Sequence, residues 1–387
     1  MLIHSNLFRN WKAIARIVAL AITMTSPGWA QSGTTSPQGL YKLGAYDNTG
    51  HYLGLLTNSD TLISLPFTRT PEFLGSVASV SGSTLTVAGS PAWSANQFVY
   101  VSGTQPKTYF VLIGAGPSGT TNPKEGAIYT VTANTSNSLT LTLNGDDISS
   151  IPANSQITVI PYWTLATVFP PSDSNVSFTP TTSTRLFKTE ILIPNYAGVG
   201  VNVAYSNTYY FINTAGNVGW RLFNDSGTKD HGDDILLPDG YFVVHNLNAA
   251  PTLPLALYGT ALTGKVVTPQ TTQAAIAQDN PTSMIRPIDV SLNNTGLSPA
   301  NGSFVATTTT RQLRDELLVF DNSKTSYNKS PSATYYYFNN AWRLFNDAGT
   351  VDHGADIIPA GSALIIRKAA STTGQTAFWT NTATYSN

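Results

Sequence analysis

Short runs in which apolar and polar residues alternate recur along the chain, rich in Val, Ile, Thr, Tyr and Phe and separated by clusters of Gly, Pro, Asn and Ser. Period-two alternation lays one face of a pleated strand against a core, and β-branching favours the extended backbone. Ser83–Val87, Phe98–Val101, Tyr109–Ile113, Ala127–Thr132, Ser138–Leu143 and Gln156–Ile160 are the clearest examples. Helical periodicity is nearly absent, and Thr271–Gln278 is the one stretch that reads as a short helix. The pattern predicts an all-β chain, with a small barrel-like N-terminal domain followed by a duplicated β-sandwich unit.

The duplication can be read directly. Phe178–Arg185 (FTPTTSTR) returns as Phe304–Arg311 (FVATTTTR), a shift of 126 that also carries Glu190-Ile191-Leu192 onto Glu316-Leu317-Leu318. After a four-residue loop difference, Trp220-Arg221-Leu222-Phe223-Asn224-Asp225 returns unchanged as Trp342-Arg343-Leu344-Phe345-Asn346-Asp347. Asp230-His231-Gly232 and Asp234 then meet Asp352-His353-Gly354 and Asp356. Six identical residues in a row, flanked by ordered matches, mark a true internal repeat. The implied division is an N-terminal β domain over 31–164, one repeat unit over 165–250, a Thr/Gln/Pro-rich linker over 251–287 and a second unit over 288–387. Each unit is short, so the two are expected to pack as one body sharing a core.

Residues 1–30 read as a secretory signal: Arg9, Lys12 and Arg16, then the apolar run Ile17–Ile22, then Pro27 and the small residues Gly28 and Ala30. No later segment approaches the roughly 20 apolar residues of a membrane-spanning helix. The expectation is an exported protein: periplasmic, cell-surface or extracellular. Removal of the signal takes away three positive charges and leaves 17 basic against 21 acidic groups, a net of −4 over 357 residues.

Composition narrows the chemistry. Only 11% of the 387 residues are charged and none is cysteine; globular chains average about 25% charged. Disulfides, thiol catalysis and thiolate zinc sites are excluded, and the near-neutral balance is not that of a nucleic-acid binder. Phe110-Val-Leu-Ile-Gly114-Ala-Gly116-Pro-Ser-Gly119 spells a dinucleotide fingerprint. The residues after Gly119 cannot start the helix whose amides would face a pyrophosphate, so this reads as a loop between antiparallel strands. No cofactor is expected beyond a candidate calcium ion.

That candidate comes from the repeated acidic turns. Asp225, Asp230 and Asp234 in one copy, and Asp347, Asp352 and Asp356 in the other, put carboxylates on a compact loop that could surround a hard cation. The competing reading is turn chemistry, with side chains bonded to their own backbone, His231 and His353 capping the turn, and Arg221 and Arg343 pairing with Asp225 and Asp347. No nucleophile elbow or His-Glu-x-x-His run occurs. Glu190, Asp234, Glu316 and Asp356 could serve a glycosidase only if a cleft joined the two units. The two tryptophans are expected in the core, while Tyr209, Tyr210, Tyr335 and Tyr336 are candidates for stacking on sugar rings.

Ser59-Asp60-Thr-Leu-Ile-Ser-Leu-Pro66-Phe67, Gly75-Ser-Val-Ala-Ser-Val, Ile160-Pro161-Tyr-Trp163-Thr-Leu165 and the Trp-acidic-turn-Leu-Pro-x-Gly-Tyr-Phe-Val-Val series resemble an uncharacterised family of secreted β-rich proteins of verrucomicrobial-type bacteria. The resemblance implies export and an all-β fold and transfers no activity, ligand or catalytic residue. The expected role is structural, adhesive or glycan-binding and non-enzymatic, with polysaccharide or another envelope component as partner. A secreted carbohydrate-active enzyme and a calcium-stabilised module are the alternatives.

Overall fold

The computed structural model describes residues 37–47, 49–170, 179–183, 186–247, 255–309 and 312–385; the signal segment 1–30 lies outside them. The chain enters on β1 (Gln38–Leu43), makes a hairpin of β2 (Ala45–Tyr46) and β3 (Tyr52–Gly54), and continues into β4 (Ser59–Ser64). Six strands then close an antiparallel barrel: β5 (Phe73–Ser81), β6 (Thr84–Val87), β7 (Tyr109–Ile113), β8 (Ile128–Asn134), β9 (Ser138–Thr142) and β10 (Gln156–Pro161), in the order β10-β5-β6-β9-β8-β7. Strict alternation in β6 and β9 turns Leu85, Val87, Leu139 and Leu141 inward, where they meet Val77, Val111, Ile157 and Val159. Closure leaves the barrel no free strand edge. The glycine-rich segment 114–119 lies between the antiparallel strands β7 and β8 and no helix follows it.

After the barrel come β11 (Trp163–Thr164), a helical turn α1 (Leu165–Val168), β12 (Thr189–Ile193), β13 (Asn207–Thr214), β14 (Asn217–Leu222), β15 (Ile235–Leu236), β16 (Tyr241–Asn246) and β17 (Leu255–Thr260). The second half runs β18 (Val266–Thr271), β19 (Gln278–Ser283), β20 (Val290–Ser291), β21 (Glu316–Val319), β22 (Ala333–Phe338), β23 (Ala341–Leu344), β24 (Ile357–Ile358), β25 (Ala363–Lys368) and β26 (Thr376–Asn381). Two five-stranded antiparallel sheets result, β14-β13-β12-β16-β4 and β23-β22-β21-β25-β19. Each is accompanied by a two-stranded ribbon, β1–β17 or β18–β26, and by a short pair, β11–β15 or β20–β24.

This correspondence redraws the domain boundaries. Outside the barrel the described strands fall into the two copies of the repeat, and the barrel lies between β4 and β11 of the first copy. The strands β1–β4, between Gln38 and Ser64, therefore belong with the first repeat unit, and the stretch read as a linker contributes β17, β18 and β19. No helix forms over Thr271–Gln278: Asn280 bonds both the N–H and the C=O of Thr271, at 2.7 and 3.0 Å, and Ala275 turns the chain at φ 64°.

Each copy keeps its own core instead of sharing one. Trp220, Phe211, Phe242 and Ile191 pack with Leu255 and Leu257 of the ribbon in the first; Trp342, Leu317, Ile366 and Trp379 pack together in the second. A smaller cluster of Leu62, Tyr241, Val243 and Ala363 joins the copies. Reciprocal loop docking reinforces that join. Asp60 N–H donates to Ser326 O (2.9 Å) while Asn328 N–H donates to Asp60 Oδ2 (2.7 Å). In mirror fashion, Asp279 N–H donates to Gly200 O (2.9 Å) while Asn202 N–H donates to Asp279 Oδ2 (2.8 Å). Asn202 and Asn328 hold φ values of 53° and 48°, the left-handed region that Asn tolerates better than most residues. The outer face of the barrel rests on the second copy through Phe110, Leu112, Ile160, Leu262, Val266 and Ile285.

Candidate functional site

The repeated acidic loops follow the tryptophan strands β14 and β23. In the first, His231 is held between two carboxylates, Nε2 at 2.8 Å from Asp225 Oδ2 and Nδ1 at 2.9 Å from Asp234 Oδ2. Tyr209 donates its hydroxyl to Asp234 (2.7 Å), and Asp230 accepts the backbone N–H groups of Trp220 and Gly232 at 2.9 and 3.1 Å. The second loop repeats the clamp, with His353 between Asp347 (2.9 Å) and Asp356 (2.8 Å), and Tyr335 donating to Asp356 (3.0 Å). The histidine hydrogen bonds lower the pKa of Asp225 and Asp347, and Asp347 raises that of His353.

All six aspartates proposed as metal ligands are placed by these bonds. Asp225, Asp234, Asp347 and Asp356 face an imidazole, and Asp230 and Asp352 face backbone amides, so each loop is cross-linked internally. Among the described residues, no group of three or more His, Asp or Glu side chains is arranged to hold a metal ion. Arg221 lies 3.7 Å from Asp230 instead of pairing with Asp225, and Arg343 donates to Thr350 O. Tyr209, Tyr210, Tyr335 and Tyr336, the candidates for stacking on sugar rings, are 4%, 3%, 7% and 3% exposed, so their rings are largely covered, and Tyr209 reaches the edge of a cleft.

What the first loop does offer is a cleft of about 450 Å³ where it faces the barrel. Tyr100 and Thr108 of the barrel form one wall, and Asn207, Lys229, Asp230, Asp233 and Asp234 supply polar groups from the other. Tyr100 is 39% exposed. Comparison of the two copies separates frame from lining. Tyr209, Asp230, Asp234 and Ile235 recur as Tyr335, Asp352, Asp356 and Ile357, whereas Asn207, Lys229 and Asp233 become Ala333, Val351 and Ala355. The extra polar groups occur in the copy whose acidic loop lies opposite Tyr100 and Thr108 of the barrel. That contrast was available in the sequence, but its meaning depended on knowing where the barrel sits. A second cavity, about 240 Å³ and apolar, lies among Ile193, Tyr196, Leu237 and Phe242.

The paired glutamates do not face one another across a cleft. Glu190 lies on β12 beside His245 of β16 (Oε2 to Nε2, 3.8 Å), whose Nδ1 is 2.5 Å from Asp60 Oδ1 on β4. Glu316 lies on β21 beside Arg367 of β25 (3.5 Å), which grips Asp279 of β19 with two nitrogens at 2.7 and 3.1 Å. Burial raises the pKa of both glutamates. Each copy thus carries an acid–cation–acid row across three strands, built on His in one and Arg in the other. Sequence reading noted the glutamates and missed their partners, because β4 and β19 lie outside the region where the repeat is visible. Comparison with protein-family models, with curated proteins and with solved structures finds no match.

Proposed function

We propose that this is an exported, non-catalytic protein of the cell envelope or its surroundings, whose barrel-facing cleft binds polysaccharide. The observation that carries the reading is the confinement of Asn207, Lys229 and Asp233 to the copy whose acidic loop shares a cleft with the barrel, on a loop frame otherwise common to both copies. Carboxylates accept sugar hydroxyls, an amide both donates and accepts, and an exposed tyrosine ring offers an apolar face to a pyranose. The clamped histidines and the cation-bound glutamates are engaged in holding the fold, which favours binding over catalysis.

Retention of the protein on immobilised polysaccharides and cell-wall fractions tests the reading. Asp233→Asn should weaken retention about tenfold, the scale of one hydrogen bond to a charged group, and Tyr100→Ala several-fold, the scale of one aromatic contact. Val351→Lys with Ala355→Asp in the second copy should leave it unchanged. Uniform absence of retention, or equal retention by every variant, removes the proposal.

A further inference from the structure

The two acid–cation–acid rows sit at the same place in the two copies, and on each docks a loop from the other copy. Loop 321–329 of the second copy lies on the His245 row: Asn328 N–H reaches Asp60 Oδ2 (2.7 Å), Ser326 N–H reaches Ser59 Oγ (3.1 Å), and the Tyr327 ring lies 4.7 Å from the imidazole. Loop 194–206 of the first copy lies on the Arg367 row through Gly200 and Asn202, with Asn202 Oδ1 3.3 Å from the guanidinium. The contacts are equivalent and the central cations are not. A guanidinium is charged at any ordinary pH, whereas an imidazole loses its charge near neutrality.

We propose that His245 makes the docking of loop 321–329 an acid-held latch between the two copies, while Arg367 makes the equivalent docking of loop 194–206 independent of pH. When His245 is neutral, Asp60 and Glu190 lose the cation between them. Asp60 is 1% exposed, so its carboxylate then rests chiefly on the Asn328 amide of the docked loop. Among the described residues, few other titratable groups face this row. Tyr327 comes from the docked loop and Tyr205 from the loop before β13; Lys329 acts on Asp60 from a distance while its amine bonds to the carbonyls of Asp321, Asn322 and Lys324. The hydrogen bond that Asp60 accepts raises the imidazole pKa from its ordinary 6.5, against the opposing effect of burial. A raised value for a base means that the stabilisation is complete below about pH 6.5 and is lost as pH rises through the folded-state value. The latch therefore closes on the acid side and loosens on the alkaline side. Because β4 runs through Leu65-Pro66-Phe67 toward the barrel, it holds the strand from which the barrel departs.

Amide hydrogen exchange on the full chain, corrected for intrinsic rates, reads both dockings in one sample. From about pH 6 to about pH 9, protection of the Asp60 and Asn328 amides should fall at least about tenfold relative to that of Asp279 and Asn202. His245→Arg should abolish the difference, and Arg367→His should transfer it to Asp279 and Asn202. Parallel pH courses for the two pairs in the wild-type protein, or a step that survives His245→Arg, would overturn the proposal. If His245→Arg does not fold, the wild-type comparison and Arg367→His decide it.

Discussion

The most buried charge pair sets a sharp energetic test. Lys368 on β25 and Asp315, just before β21, are in direct contact with side chains 2% and 1% exposed. Lys368 Nζ also donates to Ser303 O (2.9 Å), and Asp315 accepts the N–H groups of Val305 (2.8 Å) and Ala369 (2.9 Å). The first copy places Asn246 and Thr189 at these positions, where Thr189 Oγ1 accepts Thr179 N–H (3.1 Å) and bonds Asn246 Oδ1 (3.3 Å). Removing one charge strands the other in the core, so Lys368→Asn alone should cost about 3–5 kcal/mol. Asp315→Thr with Lys368→Asn imports the neutral solution of the first copy. Thr can accept from Val305 as Thr189 does from Thr179, leaving the Ala369 amide as the main loss, about 1–2 kcal/mol. The double variant should therefore lie within about 2 kcal/mol of wild type and above the single variant. Urea unfolding followed by tryptophan fluorescence reports the second-copy core through Trp342 and Trp379. A double variant no more stable than Lys368→Asn would refute the reasoning, since it would mean the pair contributes through something other than mutual charge compensation.

Three further outcomes follow from the loops and cores. Trp342 is 1% exposed and packs against Phe304 and Tyr337 at ring separations of 5.1 and 5.6 Å, so Trp342→Ala should cost about 3–5 kcal/mol in the same assay. Because the loop carboxylates are already bonded to imidazoles and amides, thermal melts with calcium and with a chelator should have the same midpoint; a calcium-dependent rise would restore the metal reading. The His353 clamp stabilises fully below about pH 6.5 and less as pH rises through its raised folded value, while the lowered pKa of Asp347 makes the clamp weaken again when pH falls through that carboxyl's folded value. NMR titration of His353 should therefore give a pKa above the ordinary 6.5, and Asp347→Asn should move it down.

The sequence disclosed what is locally determined and hid what is not. The repeated hexapeptide was visible because Trp220 and Trp342 fill cores and the following Asn-Asp turn has strict backbone demands, including φ near 66° at Asn224 and Asn346. The barrel's strands were readable from short alternating or apolar runs between turn clusters, although β7 is buried on every residue and β10 alternates only in part. The fifth strand of each sheet was not, because β4 pairs with β16 across an inserted domain and β19 carries Pro281. Pro also interrupts β18 at Pro269, so this Thr/Gln/Pro-rich stretch reads as linker although edge strands and ribbons accept proline. The tyrosines misled for a related reason. Tyr209 and Tyr210 adjoin in β13, point to opposite faces, and are both covered; one-sided exposure was assumed where both faces are packed.

Duplication turns each position into a comparison within one molecule. Trp220/Trp342, Asp230/Asp352, His231/His353 and Asp234/Asp356 are identical, and every one of them acts inside its own copy, filling a core or closing a loop. Such positions answer to the same local physics twice and have no reason to differ. His245/Arg367 and Asn207/Ala333, Lys229/Val351 and Asp233/Ala355 differ, and each set lies where a copy meets a neighbour from elsewhere: a docked loop, or the barrel. The barrel lies between strands of the first copy, and there Tyr100 and Thr108 wall the structural loop into a cleft. The fold thus localises the search for function: frame residues explain why the molecule stands, and the unlike pairs at its junctions are where binding and regulation can have been added without disturbing either core.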